Sequence, residues 1–408
     1  MKNKIIVAVI LLIAGIIYFV FYDTKNNYTP VPLNADAIVL IDAKKVKRQY
    51  ISDLLTHPSV WFKKEHKNSD FLKDSGIVIP DFLQFFHLKN SSPADWYGIF
   101  DLKDKEQFLK FLKSQKFKVL NGNVFKKDHI FIWVYDNGCI AGTSNEGLES
   151  IYKQVVKLSQ KNIFDAKSLI DKGIGSIIFN NGKNSFTLTI ELNSNDIEIK
   201  TRSNFYDPES VIGNLLKTKS FLDTELNAEN IHMLNSVFPL NVGDTKIDYL
   251  IARADLQQVN DTIITYEYDD DFNEIEKKAI RKIVQPAYVI SLQSSDPEKT
   301  EEYFQGKKWI NAQRQFVAIP FQPNVIEKKE GDFEIRSTGK SIQPSLRLNE
   351  NYIFIRNNAL LYADLKSVTP KGKKIISDID YIFYGQKDQD YYVKFKFKEN
   401  NLPLFLRW

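Results

Sequence analysis

Five histidines are the side chains in this sequence best suited to bind a transition metal or to transfer a proton. They are His57, His66, His87, His129 and His232. No two of them have the i, i+4 spacing of a helical metal site, so each is interpreted as a surface or helix-capping residue. His57 precedes Pro58 and is expected at a helix C-terminus, where a cationic imidazole favours the helix dipole.

Two residues could act as nucleophiles, and neither has the sequence context that such chemistry requires. The segment 142–147, GTSNEG, resembles a nucleophile elbow around Ser144, but it lacks the second glycine at the required position and follows an antiparallel-type strand. Ser144 is therefore interpreted as the N-cap of a helix that starts near Asn145. Cys139 is the single cysteine, which excludes an intrachain disulfide, and its apolar neighbours predict a small buried side chain.

An acidic cluster could hold a hard cation through its carboxylates. Its members are Glu267, Asp269, Asp270, Asp271, Glu274 and Glu276. Glu274 stands where a calcium loop needs glycine, and Ile280 stands where the last carboxylate belongs. The same acids precede a predicted helix over 273–284 with basic later turns, which is ordinary dipole compensation.

No metal site is predicted, and the absence of a phosphate-binding glycine loop predicts no cofactor. Catalytic residues stay unassigned, and enzymatic activity is unsupported.

Length and charge bound the classes to which the protein can belong. The 408 residues are 43% hydrophobic and 26% charged, which is globular composition and enough for two or three domains. A formal net charge of +4 gives no electrostatic footprint for nucleic acid, so nucleic acid is not an expected partner.

The N-terminus predicts a membrane anchor. Residues 5–22 form an unbroken apolar and aromatic run after Lys2 and Lys4, close to the length that spans a bilayer core. The preceding lysines favour a cytoplasmic N-terminus. The anchor is therefore expected in a bacterial inner membrane, with the body in the periplasm. A cleaved signal peptide is the main alternative, although no small-x-small cleavage pattern follows the run.

Downstream of the anchor (1–23), the sequence predicts an α+β body with mostly antiparallel sheets. Residues 24–34 are expected to be a tether with two prolines. Strands are expected from apolar or alternating segments and helices from i, i+3, i+4 apolar spacing. The predicted strands lie at 37–41, 96–102, 117–126, 130–135, 139–143, 177–179, 185–192, 196–203, 286–292, 381–385, 390–398 and 402–408. The predicted helices lie at 44–55, 105–114, 145–156, from 207, at 227–236 and 273–284, and around Tyr303.

Two halves of the body resemble each other in order and spacing. The strand at 96–102 with its following helix resembles 286–292 with its helix, and the ribbon 177–203 resembles 381–408. An internal duplication is predicted, with a first unit over 35–205, connecting helices over 206–235 and a second unit over 236–408.

The chain also resembles a family of exported, membrane-anchored bacterial proteins that is defined as a domain of unknown function. The resemblance rests on the anchor, the repeated strand-helix-strand ribbons and the segment Pro32-Leu33-Asn34-Ala35-Asp36-Ala37 that leads into an apolar strand. It covers most of residues 30–408 and implies location and fold, with no catalytic residues to transfer.

Three functions are compatible with these patterns. The first is a non-enzymatic binding or scaffold protein of the bacterial envelope with a protein partner. The second is a membrane-tethered hydrolase whose site is scattered over loops. The third is a lipid or hydrophobic-ligand binding protein, since strands such as 391–397 alternate aromatic residues with lysine and could line an apolar groove. Convergent polar groups with shifted pKa values would favour the enzyme, and a broad apolar trough would favour binding.

Overall fold

The fold divides into two compact units. The computed structural model describes residues 29–60, 75–157, 161–164, 166–170, 172–180, 185–202, 207–237, 246–268, 274–319, 324–361 and 370–407. Unit 1 holds residues up to 194 together with 401–407, and unit 2 holds 195–400. This division lies earlier in the chain than the predicted first-unit boundary at 205, and the predicted connecting region 206–235 belongs to unit 2.

Unit 1 is built on an antiparallel sheet. Its elements are β1 (Thr29–Pro32), β2 (Ala35–Asp42), α1 (Ala43–Thr56), β3 (Phe82–Leu88), β4 (Trp96–Asp101), α2 (Lys105–Ser114), β5 (Lys118–Asn121), β6 (Val124–Lys127), β7 (Ile130–Val134), β8 (Gly138–Gly142), α3 (Leu148–Ile151), β9 (Lys161–Phe164), α4 (Ala166–Leu169), β10 (Gly175–Asn180) and β11 (Ser185–Leu192). The described strands pair in the order β11-β10-β2-β3-β4-β8-β7-β6-β5, and β1 pairs with β9 in a separate ribbon. Short 3-10 helices cover Pro58–Val60 and Leu404–Leu406, and α3 continues as a π-helix over Tyr152–Lys157.

The unit 1 sheet buries side chains on both faces because its strands alternate two apolar sets. One face packs Ile38, Phe86, Tyr97 and Ile140 against α3 and its neighbours. The other face lies under α2 and is named the α2 face here. It packs Phe125, Ile132, Val134 and Cys139 against the helix residues Phe108 and Leu112. Helix α2 is thus the layer that covers this face of the sheet.

Unit 2 is also built on an antiparallel sheet. Its elements are β12 (Asp196–Thr201), α5 (Glu209–Leu216), β13 (Leu222–Asn227), α6 (Ala228–Val237), β14 (Ile247–Tyr268), β15 (Glu274–Ser294), α7 (Pro297–Gly306), β16 (Gln315–Phe316), β17 (Asn324–Lys329), β18 (Asp332–Ser337), β19 (Asn351–Arg356), α8 (Pro370–Asp378), β20 (Ile379–Lys387) and β21 (Asp390–Phe397). The described strands pair in the order β12-β21-β20-β19-β13-β14-β15-β18-β17-β16. One face carries α7 with Phe304 and Phe333, and the other carries α5 against Tyr352 and Phe383.

Helices α2 and α7 begin and end in the same way. Asp104 accepts a hydrogen bond from the Gln107 N–H (2.9 Å), and Asp296 accepts one from the Lys299 N–H (3.1 Å). Twelve residues after each cap stands a lysine with positive φ, Lys116 at 63° and Lys308 at 58°. Each lysine closes its helix as a left-handed C′ residue. The aspartates and the lysines are therefore common reference points in the two units.

The predicted α+β class and the antiparallel sheets are confirmed. Helix 105–114 and strand 185–192 have the predicted bounds, and helix 44–55 extends by one residue at each end. The predicted strand 117–126 is two strands, β5 and β6, which turn at Gly122, where φ is +46°. For the helix predicted from 207, the observed start is Glu209, whose N–H donates to the Asp207 carboxylate (3.1 Å).

The helix predicted over 273–284 is wrong. Residues from Glu274 onward belong to β15, which pairs with β14 over 20 consecutive positions from Tyr249 to Tyr268. The spacing of Ile275, Ala279 and Ile283 fits a helical stripe, but Ala279 and Ile283 are paired with the β-branched residues Ile263 and Val259 on β14. Cross-strand pairing outweighs helix propensity here, because a β-branched side chain packs well on a pleated surface. The lysines and the arginine of this segment therefore do not compensate a helix dipole.

Three smaller expectations also fail. The C-terminal strand 402–408 is instead a 3-10 turn at Leu404–Leu406 after Pro403, which has no N–H to donate to a ladder. Ser144 does not cap a helix, because α3 starts at Leu148 after Gly147, whose N–H donates to the Tyr97 hydroxyl (3.1 Å). The predicted tether is wrong from residue 29 onward, since β1 pairs with β9 and its Val31 is fully buried.

The predicted anchor, residues 5–22, lies outside the described residues. Within the part of the chain that the structure describes, no helix combines the length and the apolar character needed to cross a membrane.

Candidate functional site

The candidate functional site is an apolar pocket of about 630 Å³ on the α2 face of unit 1. Helix α2 forms one wall with Phe108, Phe111 and Leu112 together with its C-cap Gln115, and strands β4, β8 and β7 form the floor. The apolar pocket is lined by Ile77, Ile79, Pro80, Leu83, Phe100, Phe108, Phe111, Leu112, Gln115, Phe117, Lys127, Asp128, Ile130, Ile132, Cys139 and Ala141. Thirteen of these sixteen residues are apolar, so the interior cannot hold a strongly hydrated ligand.

The second wall of the apolar pocket, residues 77–80, is fixed to the start of α2. The Val78 N–H donates to the Asp101 carbonyl (2.9 Å), and the Lys103 N–H donates to the Gly76 carbonyl (2.8 Å). Gly76 has a φ of +74°, and a Cβ there would lie 2.5 Å from the Asp104 carbonyl oxygen. Only glycine allows this close approach between the start of the second wall and the start of α2.

Small side chains on the floor create the space. Cys139 is paired with Phe100 across β4 and β8, and Ala141 is paired with Gly98. Cross-strand partners point to the same face of a sheet, so these positions all lie on the α2 face. Two small side chains at alternate positions of β8 therefore neighbour each other on the α2 face, where they occupy less volume than large side chains would.

The thiol of Cys139 lines the apolar pocket but is not a nucleophile. It is 1% exposed, and burial together with the nearby Asp101 carboxylate raises its pKa to about 12. The thiolate is the reactive form of cysteine, so the thiol is inert at neutral pH. The prediction of a small buried side chain is confirmed.

One cation stands at the rim of the apolar pocket. Lys127 ends β6, and its Nζ lies 5.8 Å from the centroid of the Phe117 ring. Among the described residues, no carboxylate forms an ion pair with Lys127. The neighbouring Asp128 lies at the turn with a φ of 52°. The rim therefore offers an anionic group one cationic contact beside an apolar cavity.

The corresponding place in unit 2 is filled. Counting from the caps Asp104 and Asp296, Phe100 corresponds to Leu292 and Gly98 to Ile290. The cross-strand partners of these two unit 2 residues are Phe333 and Ile335, which are 1% and 2% exposed. Where unit 1 has Cys139 and Ala141, unit 2 thus has two large side chains.

An aromatic cluster completes the filling in unit 2. Phe304 on α7 contacts the rings of Trp309, Phe316 and Phe333 at centroid distances of 5.5, 5.9 and 5.8 Å. Trp309 stands thirteen residues after its cap, as Phe117 does in unit 1. The same helix-on-sheet arrangement is therefore closed in one unit and open in the other.

His87 has the partners of a catalytic triad without the required geometry. Its Nδ1 lies 2.7 Å from Asp36, and its Nε2 lies 3.1 Å from the Ser91 hydroxyl. That Nε2 also lies 2.9 Å from the Ser92 carbonyl oxygen, to which a ring nitrogen can only donate. The Ser91 hydroxyl donates to the Leu88 carbonyl (2.8 Å). The His87 ring is therefore not placed to take the Ser91 proton, and the network fastens the β3–β4 connection.

Asp223, on β13 of unit 2, is a fully buried carboxylate. One of its oxygens accepts from the Ser345 hydroxyl (2.8 Å) and the Tyr352 hydroxyl (3.0 Å). The other accepts from Arg253 (2.8 Å). Both oxygens are therefore engaged inside the protein, which is the arrangement that makes burial of a carboxylate tolerable.

Glu225, two residues along the same strand, is equally buried. It accepts the backbone N–H groups of Leu348 and Asn349 at 2.7 Å each, and it accepts the hydroxyl of Tyr249. Burial and this contact raise the pKa of Tyr249 to about 12. Asp223 and Glu225 thus fasten the segment 343–349 to the sheet and have no free oxygen for acid-base work.

The remaining candidates that lie among the described residues do not assemble into a site. His57 ends α1 as predicted, with Nδ1 2.8 Å from the Asp53 carbonyl. His129 lies in the β6–β7 turn and His232 on α6, while His66 and Asp269 to Asp271 lie outside the described residues. Among the described residues, no group of three His, Cys, Asp or Glu side chains could hold a metal ion.

Sequence reasoning did not find the apolar pocket. A usable signal was present, because β8 places Cys139 and Ala141 at alternate positions where the segment at the same place in unit 2 has Phe333 and Ile335. The contrast becomes visible only after β8 and β18 are paired with the strands that precede α2 and α7.

Comparison with models of protein families, with curated proteins and with solved structures finds no match. The resemblance to exported, membrane-anchored bacterial proteins therefore stays a prediction.

Proposed function

We propose that this chain is a membrane-anchored protein of the bacterial envelope that binds the aliphatic chain of an anionic lipid in the apolar pocket of unit 1. The observation that carries this proposal is a pocket of about 630 Å³ in which thirteen of sixteen lining residues are apolar. Each methylene that moves from water into such a site contributes about 0.8 kcal/mol. A long chain is therefore the ligand class that the pocket favours.

The chemistry of the lining supports binding rather than catalysis. Cys139 is held as a neutral thiol by burial. The polar lining residues are Gln115, Lys127 and Asp128. A general base and a nucleophile within hydrogen-bond reach, which hydrolysis needs, are not found among the described residues of the pocket. The hydrolase alternative has no comparable support.

The rim supports an anionic end group. Lys127 is half-buried, and its ammonium lies beside the Phe117 ring with no carboxylate partner among the described residues. A lipid carboxylate or phosphate there would gain an ion pair in a partly desolvated place, where such a pair is stronger than in water. The aliphatic part would then enter the cavity under α2.

We also infer that the two units arose by internal duplication. The segments from β4 through α2 and from β15 through α7 share the cap, the buried positions four and eight residues after the cap, and the left-handed lysine. The sheets extend alike from these segments, with β8-β7-β6 beside β4 and β18-β17-β16 beside β15. On this alignment, the ribbon β10-β11 corresponds to β19-β20, one strand earlier than the sequence pattern predicts.

Labelling with a photoactivatable fatty acid tests the binding proposal. The full chain in lipid nanodiscs is irradiated with a fatty acid that carries a diazirine on its chain, and the labelled peptides are identified by mass spectrometry. We expect label on peptides that contain Ile132 and Ala141, and competition by unlabelled fatty acid. Absence of label from these peptides would refute the proposal.

A pair of variants makes this test specific. Cys139→Phe/Ala141→Ile gives unit 1 the large floor residues of unit 2 and should lower the labelling of the pocket peptides at least tenfold. Val119→Phe adds an aromatic ring to an exposed strand position that does not line the apolar pocket, and it should leave labelling unchanged. Far-ultraviolet circular dichroism and thermal unfolding confirm that both variants fold. Equal labelling of the filled variant and the control would contradict the proposal.

The membrane location needs its own experiment. Residues 5–22 support a span with the body outside the cytoplasm, as the preceding lysines favour. Protease added to intact spheroplasts should degrade the body, and carbonate extraction should leave the chain in the membrane fraction. A body protected from protease, or a chain released by carbonate, would count against this location.

A further inference from the structure

Strands β14 and β15 continue beyond the unit 2 sheet as a two-stranded arm, defined here as residues 258–268 and 274–284. The other sheet strands stop earlier, because β13 pairs with β14 only up to Ala254 and β18 pairs with β15 only from Val289. Over the arm, the described residues of β14 and β15 pair only with each other. Eleven residue pairs at about 3.4 Å each give a projection of about 35 Å.

The arm carries two unpaired backbone edges along its length. None of its described side chains is buried, and Ile264, Tyr266 and Ile280 are 48%, 59% and 75% exposed. Unpaired edges template the addition of another strand, so proteins protect those edges that should stay free, often with lysine. The two edges of this arm differ in that protection.

The β15 edge is protected by charge. Lys277, Lys278, Arg281 and Lys282 lie within six residues at its centre. When two copies of β15 are paired antiparallel about Ala279, about Ile280 or midway between them, each register places at least one pair of these cations opposite each other. Like charges directly opposite are destabilising.

The β14 edge is not protected in this way. Between Val259 and Tyr266 its only charged residue is Asp261. When two copies of β14 are paired antiparallel about Thr262, about Ile263 or midway between them, Asp261 faces Ile263, Thr265 or Ile264. No like charges face each other in any of these registers, and β-branched residues, which favour strands, occupy the centre.

The exposed apolar residues lie on the face that such pairing would extend. Ile264 and Tyr266 point to the same face as Thr262, whose partner on β15 is Ile280. Two-fold pairing through β14 would place this stripe beside the same stripe of the second copy and shield both. We propose that the arm pairs edge to edge, through β14, with the arm of a second copy of this chain. The interface is isologous, so the assembly closes as a dimer.

Cysteine crosslinking of the full chain tests which edge forms the seam. Across a β14–β14 seam, residues near position 262 of the two copies lie within about 5 Å of each other. The two β15 strands are then three strand spacings apart, about 14 Å. Cys139 is 1% exposed, so we expect it to form no crosslink under native conditions. Thr262→Cys is therefore compared with Ile280→Cys, its cross-strand neighbour on the same face.

We expect oxidation to convert most of the Thr262→Cys protein to a covalent dimer and to leave the Ile280→Cys protein monomeric. The opposite pattern would place the seam at β15 and overturn the proposal. Failure of both variants to crosslink would overturn it as well.

Sedimentation velocity of the full chain in detergent gives an independent measurement. Thr262→Lys/Ile264→Lys places cations along the β14 edge and should weaken self-association at least tenfold. Ala279→Lys adds the same type of charge to the other strand of the arm and should leave self-association within twofold of the unsubstituted protein. A monomeric unsubstituted chain, or equal loss in both variants, would refute the dimer.

Discussion

Helices α2 and α7 begin with the same cap and end with the same left-handed lysine, yet they cover different interiors. In unit 1, the floor under α2 holds Cys139 and Ala141, and a cavity of about 630 Å³ remains. In unit 2, the floor under α7 holds Phe333 and Ile335, and aromatic rings fill the space. The cap and the left-handed lysine of the two helices are thus the same although the side chains beneath the helices differ. The two floors differ in side-chain size at two positions of one strand.

The reactivity of the Cys139 thiol should show whether solvent reaches the floor of the apolar pocket. Because the pKa of Cys139 is raised from 9.0 to about 12, the thiolate fraction of the folded protein near neutral pH should be about a thousandfold below that of an unfolded chain. Reaction with a chromogenic disulfide at pH 8 should therefore be at least that much slower for native than for urea-unfolded protein. Comparable rates would mean that solvent reaches the pocket floor freely.

The same thiol makes folding stability depend on pH at the alkaline end. The unfolded thiol ionises above about pH 9, while the folded thiol stays neutral until about pH 12. The unfolded state then binds fewer protons, so stability falls as pH rises between these values. Cys139→Ser should weaken this dependence, which denaturant titrations at pH 8 and pH 10 would measure.

Truncating a floor side chain should lower the free energy of unfolding far more in unit 2 than in unit 1. Phe333→Ala leaves a cavity among Phe304 and its neighbours and should cost about 3–5 kcal/mol. Cys139→Ala removes one sulfur atom beside existing space and should cost about 1 kcal/mol. Hydrogen exchange of peptides from α7 and α2, measured by mass spectrometry, would report each loss locally. Equal losses would mean that the unit 1 pocket is packed as tightly as the unit 2 core.

The fold class was accessible from the sequence because apolar periodicity and turn residues act locally. Helix 105–114 was predicted with its observed bounds, since the apolar stripe around Phe108 is a local signal. The arm was missed because its apolar spacing also fits a helix, and pairing with β14 decides the outcome. The partner strand of a segment is not encoded within that segment.

The candidate site was less accessible for a related reason. The apolar pocket joins residues from 77 to 141, and each of them alone is an ordinary core residue. Its cause is an absence of volume at Cys139 and Ala141, which no motif marks. The buried carboxylates Asp223 and Glu225 were missed because strand β13 lies in a region predicted to be connecting helices. Sequence patterns identify elements better than the spaces between them.

Glycine substitutions should distinguish the pocket wall from a turn of similar conformation. Gly76→Ala meets both a positive φ and the Asp104 carbonyl at 2.5 Å, and it should cost about 1–3 kcal/mol and reduce fatty-acid labelling. Gly331→Ala, in the β17–β18 turn at a φ of +97°, meets only a proline ring atom at 3.6 Å. It should cost about 1 kcal/mol and leave labelling unchanged. Equal labelling in both variants would mean that the wall next to Gly76 does not contribute to ligand binding.

The caps provide the smallest and most symmetrical test of the comparison. Asp104→Ala and Asp296→Ala each remove one side-chain acceptor from a helix N-terminus, and each should cost about 1 kcal/mol. Asp104→Asn and Asp296→Asn keep an acceptor oxygen and should restore most of that stability. Amide exchange in the first turns of α2 and α7 would measure both pairs. If Asp104→Ala lowers stability severalfold more than Asp296→Ala, the packed interior holds α7 in place, and the open pocket leaves α2 more dependent on its cap.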